Sequence, residues 1–194
     1  MTRKLAARVN KFMLATAASL CLLALPLCAQ TEAPHRVDLF GGYSHTGNYN
    51  IGQSGWIASA NYNISGPLGV EADVSGNYGT QDLGGAAVIL PNVPNSLHSR
   101  MHSFNVGPSG TYRAPSGKYN AFGHLLFGTS HTNVSAAGVG DGSTSFSWIL
   151  GVGGDYNFTR QWAARAQLDF LRTNFFSRGG NHGRVAFGLV YRFL

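Results

Sequence analysis

No cysteine follows residue 28 in this chain of 194 residues. Cys21 and Cys28 both lie in an N-terminal segment that reads as a cleaved leader, so the mature chain has neither a disulfide framework nor a cysteine metal site. No later run is long and apolar enough for a transmembrane helix, which needs about 20 residues. A membrane, if the chain enters one, must be crossed by strands. Lysine and glutamate are scarce beyond the leader. That scarcity disfavours helices and removes the charged surface of an ordinary soluble domain. Charge of one sign is also lacking. The formal net charge is +6, but Arg3, Lys4, Arg8 and Lys11 of the leader supply most of it. The remainder is nearly neutral, which leaves no nucleic-acid partner to expect.

What is present begins with the leader. Its basic start is followed by an apolar run from Phe12 to Leu25, then Pro26 and the small residue Ala29. That order predicts a signal peptide over 1–29, removed after Ala29. Cys28 as a lipid-modified N-terminus is the rival reading, disfavoured by the bulk of Leu27 before it. A short segment, 30–35, then leads into one domain over 36–194.

That domain is rich in Gly, Asn, Ser and aromatics. It divides into eight segments of roughly ten residues that alternate apolar and polar. On their apolar side they run from Val37 to Tyr43, Trp56 to Ile64, Val70 to Tyr78, Phe104 to Tyr112, Tyr119 to Phe127, Phe146 to Tyr156, Trp162 to Phe170 and Val185 to Phe193. Tight turns are expected at 65–67, 114–118 and 158–161. Longer linkers are expected at 44–55, 79–99, 132–144 and 173–183. Short turns on one side and long loops on the other are the habit of an outer-membrane barrel, with both termini on the short-turn side.

Laid out up and down, the apolar-face aromatics gather at two heights. Tyr43, Trp56, Tyr78 and Trp148 belong to the upper set. Tyr62, Tyr112, Tyr156, Trp162, Tyr191 and Phe193 belong to the lower. Rings with a polar edge favour the two membrane–water boundaries. The other face carries Asp38, Glu71, Asp73, Asp155, Arg165, Asp169, Arg184 and Arg192 among small and polar residues. Those charges are few and of both signs, as a narrow lumen requires. Arg192 is expected near Asp38, and Arg165 near Asp155 or Glu71. The apolar face has no Asp, Glu, Lys or Arg through its middle, where a basic residue would cost roughly 2–4 kcal/mol in lipid. An open sheet edge in lipid would leave backbone groups unbonded, so eight such strands must close. A soluble lipocalin-like binder with eight strands is the rival fold. It would turn the apolar face inward.

The last segment, Val185-Ala-Phe-Gly-Leu-Val-Tyr-Arg-Phe193, resembles the C-terminal assembly signal of outer-membrane barrels, with Leu194 added after the aromatic. Val37-Asp-Leu-Phe-Gly-Gly-Tyr-Ser44, Gly69-Val-Glu-Ala-Asp-Val-Ser-Gly76, Gly151-Val-Gly-Gly-Asp-Tyr156 and Trp162-Ala-Ala-Arg-Ala-Gln-Leu-Asp-Phe170 resemble the OmpA-type eight-stranded outer-membrane β-barrel domain. The resemblance implies an all-β, antiparallel, up-and-down transmembrane barrel in a Gram-negative-type outer membrane. It implies outer-membrane lipid as surroundings, and the barrel-insertion machinery as a partner through the C-terminal strand. It covers the barrel alone, without the peptidoglycan-binding domain of OmpA itself, and a monomer is expected.

Catalytic chemistry has weak candidates. Some small barrels of this kind modify lipids with Ser, His and an acid at the outer rim. Ser130 and His131 lie near one strand top, His98 and His102 near another, and Asp82 and Asp141 are the available acids. No spacing joins them into a triad. His98-x-x-x-His102 has helical metal-pair spacing but lies at a strand entry and lacks a carboxylate partner. Gly138-x-Gly140-x-Gly142 does not open a helix and has no following Lys, so it is not a phosphate cradle. No cofactor, metal or catalytic residue is therefore expected. A structural or surface-interaction role leads, followed by a narrow channel for small solutes, then a lipid-modifying enzyme. Gly84-Gly-Ala-Ala-Val-Ile-Leu-Pro91, within loop 80–99, is unusually apolar for an exposed loop.

Overall fold

The computed structural model describes residues 36–48, 51–82, 96–136, 139–175 and 178–193. The expected leader, Cys28, the segment 30–35, the apolar stretch Gly84–Pro91, Gly138 and Leu194 lie outside them. Eight strands follow one another: β1 Val37–Asn48, β2 Ile51–Ser65, β3 Leu68–Asp82, β4 Ser96–Arg113, β5 Tyr119–Ala136, β6 Val139–Asn157, β7 Trp162–Phe175 and β8 Arg178–Phe193. Each pairs antiparallel with its neighbours, and β1 pairs with β8 to close the barrel. Closure leaves no unpaired edge.

Period-two alternation places the apolar segments on the outside. Trp56, Tyr62, Val74, Phe104, Val152, Leu168 and Leu189 are all exposed there. The charged set points inward, and Asp73, Asp169 and Arg184 are buried. The lipocalin arrangement, with the apolar face inside, is thereby overturned.

The strands are strongly staggered. The register runs from Leu39 through Ala60, Ala72, Val106, Phe127, Trp148 and Arg172 to Asn181 on β8. Leu39's direct partner on β8 is Tyr191, ten residues further on. Such a shear requires tilted strands, and it brings residues far apart in sequence to one height in the lumen.

The tight turns fall where the composition puts them. Gly66 and Gly117 have φ of 53° and 68°, a region that other residues enter only at a cost. Thr159 Oγ1 accepts from the backbone N–H groups of Gln161 and Trp162 at 3.2 and 2.9 Å, which fixes the β6–β7 turn. The expected longer linkers are corrected. Most of 44–55, 132–144 and 173–183 is strand, as are 79–82 and 96–99 at the two ends of 79–99, and β4, β5 and β6 reach 18, 18 and 19 residues. Above the upper aromatics both faces meet water, so the hydrophobic alternation stops while the backbone ladder continues.

Candidate functional site

Among the described residues, five carboxylates, three guanidiniums and one imidazole of the barrel interior form two linked groups. At the turn end, Arg165 Nε and Nη2 donate to the two oxygens of Asp155 at 2.8 and 3.2 Å. Arg192 Nη2 donates to Asp155 Oδ2 at 2.7 Å, and Arg192 Nε lies 3.9 Å from Asp38 Oδ1. Asp155 thus binds both arginines, whereas Arg192 meets Asp38 only loosely. The Arg165 guanidinium also stacks between rings, 4.0 Å from the Phe122 centroid and 5.2 Å from that of Phe40. Such stacking favours a desolvated guanidinium.

The second group lies deeper. Arg184 Nη1 and Nη2 donate to the two oxygens of Asp73 at 3.1 and 3.0 Å, and Nε donates to Asp169 Oδ2 at 2.7 Å. Asp169 Oδ1 faces His124 Nε2 at 3.2 Å, and His124 Nδ1 faces Glu71 Oε2 at 3.0 Å. Each of those two contacts needs a proton between nitrogen and oxygen. The imidazole and its two carboxyl groups must therefore share two protons. The chain Asp73–Arg184–Asp169–His124–Glu71 links β3 to β5, β7 and β8 through the middle of the lumen.

Gly151 makes that crossing possible. A Cβ there would collide with Asp169 Oδ1 and His124 Nε2. Gly151→Val should therefore force the pair apart and destabilise the barrel by about 1–3 kcal/mol. Urea unfolding in lipid vesicles, followed by tryptophan fluorescence, reads the change. An unchanged midpoint would count against this packing.

All eight charged residues expected in the lumen occupy it. His124 was missed, although the outward set on β5 from Tyr119 to Phe127 already assigns residue 124 to the inner face. The interior is also less polar than expected. Met101, Leu126, Ile149 and Leu171 form one buried apolar cluster, and Phe40, Ile57, Ala163, Ala186 and Val190 form another. Charged chains and apolar clusters together fill the cross-section.

On the outer face, Tyr43, Trp56, Tyr62, Tyr78, Tyr112, Tyr156, Trp162 and Phe193 are exposed. Trp148 and Tyr191 are half-buried because their rings pack on neighbours. Trp148 meets Phe170 at 5.5 Å, and Tyr191 meets Trp162 and Phe193, each at 4.9 Å between centroids. Phe187, 5.2 Å from Tyr43, joins the upper rings.

Of the described rim candidates, only His102 and His131 come together, as direct cross-strand partners on the outer face. Ser130 is buried inside the barrel, whereas its neighbour His131 points outward and contacts Thr144 Oγ1 at 2.8 Å. His98 contacts Thr80 Oγ1 at 3.1 Å, and His102 packs edge-on against Tyr78. His98 and His102 lie four positions apart on one strand, roughly 13 Å of rise, so they cannot chelate one ion. Asp141 is exposed on β6, and the Asp82 side chain lies outside the described ones.

Comparison with known proteins agrees with this geometry. Residues 15–193 match the model of the family described as outer membrane protein beta-barrel domain. No curated protein matches the sequence. Among solved structures, neisserial surface protein A is similar at 13% identity and a TM-score of 0.61, over 81% of this chain and 96% of that one. The attachment invasion locus protein Ail of Yersinia pestis, solved with the heparin analogue sucrose octasulfate, is similar at 15% identity and a TM-score of 0.53, over 81% and 96%. The N-terminal β-barrel domain of OprF from Pseudomonas aeruginosa is similar at 13% identity and a TM-score of 0.52, over 82% and 98%. At these identities the likeness is one of fold.

Proposed function

This chain belongs to the outer-membrane protein β-barrel family, and on that premise we propose that it is a closed, non-catalytic barrel with a structural or surface-interaction role in the envelope. Its location is the outer membrane of a Gram-negative-type cell, with the barrel set in the lipid bilayer. Family habit puts the three tight turns in the periplasm and the opposite strand ends outside.

The observation that carries the reading is the filled lumen. Leu126, Ile149 and Leu171 sit beside the ion-paired chain from Asp73 to Glu71. A conducting path would have to part both an apolar cluster and charges that need one another. Eight strands leave little room for a bypass. The projecting ends of β4, β5 and β6 give the outer side polar surface instead, including His98, Arg100 and Asn133. Two of the similar folds are a surface protein and an attachment protein by name, which supports a surface role here. The opposite orientations of Ser130 and His131 support the non-catalytic reading, since a nucleophile and its base must share a hydrogen bond. We also propose a monomer, the aromatic sets as membrane-interface rings, a signal peptide over 1–29, and β8 as the segment read by the insertion machinery.

Planar-bilayer recording tests the closed lumen. Purified barrel should give no steady conductance near neutral pH, and His124→Ala should open small, brief events. Steady wild-type currents of porin size would overturn the reading in favour of a channel.

A further inference from the structure

At the turn end the lumen widens into a cavity of about 530 Å³ between the β4–β5 and β6–β7 turns. Arg113, Lys118, Arg160 and Arg192 line it, together with the amides of Asn120 and Asn157, and no Asp or Glu does. Part of the charge is cancelled from below, since Arg192 donates to Asp155 at 2.7 Å and lies 3.9 Å from Asp38, and Asp155 also accepts from Arg165. Arg192 is itself buried, with Nη1 donating to Asn157 Oδ1. Arg113 is anchored by donating to Gly66 O at 3.1 Å and Asn63 Oδ1 at 3.3 Å. Lys118 and Arg160 stand exposed on opposite turns, and neither has a carboxylate within ion-pair distance among the described residues.

We propose that this periplasmic mouth is a binding site for a compact phosphate-bearing anion, such as a phosphate ester or pyrophosphate. Four cations from separate elements line one concave space, two from the strand ends and two from opposite turns. A ligand with many oxygens spread over a few ångströms matches that array better than a single carboxylate does. Arg192 and Arg113, held by their own partners, form a rigid base. Lys118 and Arg160 supply mobile donors at the entrance. The cavity opens along the barrel axis, whereas Tyr119 and Tyr156 stand on the outer face of the same strands. A free phosphate compound therefore has the direct approach, and a headgroup of the inner leaflet must reach over the rim. The site needs neither a closed nor a conducting lumen.

Calorimetric titration of the folded barrel with pyrophosphate tests the proposal. In zwitterionic detergent, binding should be saturable and weaken with added salt. The Lys118→Gln/Arg160→Gln double variant should bind at least tenfold more weakly, as expected for loss of charged donors worth more than about 1.4 kcal/mol. Lys118→Arg/Arg160→Lys should restore binding. Both turn residues are exposed, and unheated gel mobility shows that each variant is folded. Absence of wild-type binding, or equal binding by the double variant, overturns the proposal. Repeating the titration in nanodiscs separates the sources. Equal affinity in phosphatidylcholine and phosphatidylglycerol assigns the site to free phosphate compounds. Competition by phosphatidylglycerol that the double variant abolishes assigns it to a headgroup phosphate.

Discussion

Replacing Arg184 by methionine should lower barrel stability by about 3–5 kcal/mol. Arg184 is enclosed, and it bonds both oxygens of Asp73, one of Asp169 and the hydroxyl of Ser75. Methionine fills much of the same volume, so a cavity contributes little. The loss comes from Asp73 and Asp169, left facing each other across a lumen with no cation between them. Relief of that repulsion is a sharper measurement than the loss itself. Adding Asp73→Asn and Asp169→Asn to Arg184→Met should recover most of the stability, because an uncharged set no longer carries unpaired charge. Arg184→Lys should fall between, keeping the charge without the fork that spans two carboxylates. Urea titration of the four proteins in one lipid gives the comparison. A cost below about 1 kcal/mol for Arg184→Met would mean that the chain does not hold the lumen together.

Much of this arrangement was legible from residue order, and the remainder was hidden for physical reasons. The Asp155–Arg165 pair follows from the hairpin, since two strands joined by a tight turn pair symmetrically about it. Asp38 opposite Arg192 follows from closure of β8 on β1. Arg184 and Asp73 are 111 positions apart and meet only across the lumen. Their contact depends on the ten-residue stagger, which no local pattern encodes. Leu126, Ile149 and Leu171 sit in runs that are apolar on both faces, so alternation fails to show that they point inward. His124 differs, because the outward set on β5 from Tyr119 to Phe127 places residue 124 on the inner face. The mouth cavity was illegible since its cations come from β4, β8 and two separate turns. The strand ends were missed because a ladder in water no longer needs an apolar face.

Leu189→Arg should cost about 2–4 kcal/mol in a bilayer, while Phe193→Arg, lower on the same strand, should cost about 0–1 kcal/mol. Leu189 is 52% exposed, so its replacement removes few protein contacts. On a soluble protein such an exposed change falls within about 0.5 kcal/mol. The large value arises only if the surroundings are hydrocarbon, and the gradient with depth arises only if a water boundary lies near Phe193. Depth dependence also excludes a general packing effect, since Phe193 contacts Tyr191 and its truncation removes more ring contact than loss of Leu189 does. Unfolding of both variants in lipid vesicles gives the two numbers, and the same titration in detergent should compress their difference. Equal costs at both positions would remove the hydrocarbon band from the outer face, and with it the reason for charges to lie inside.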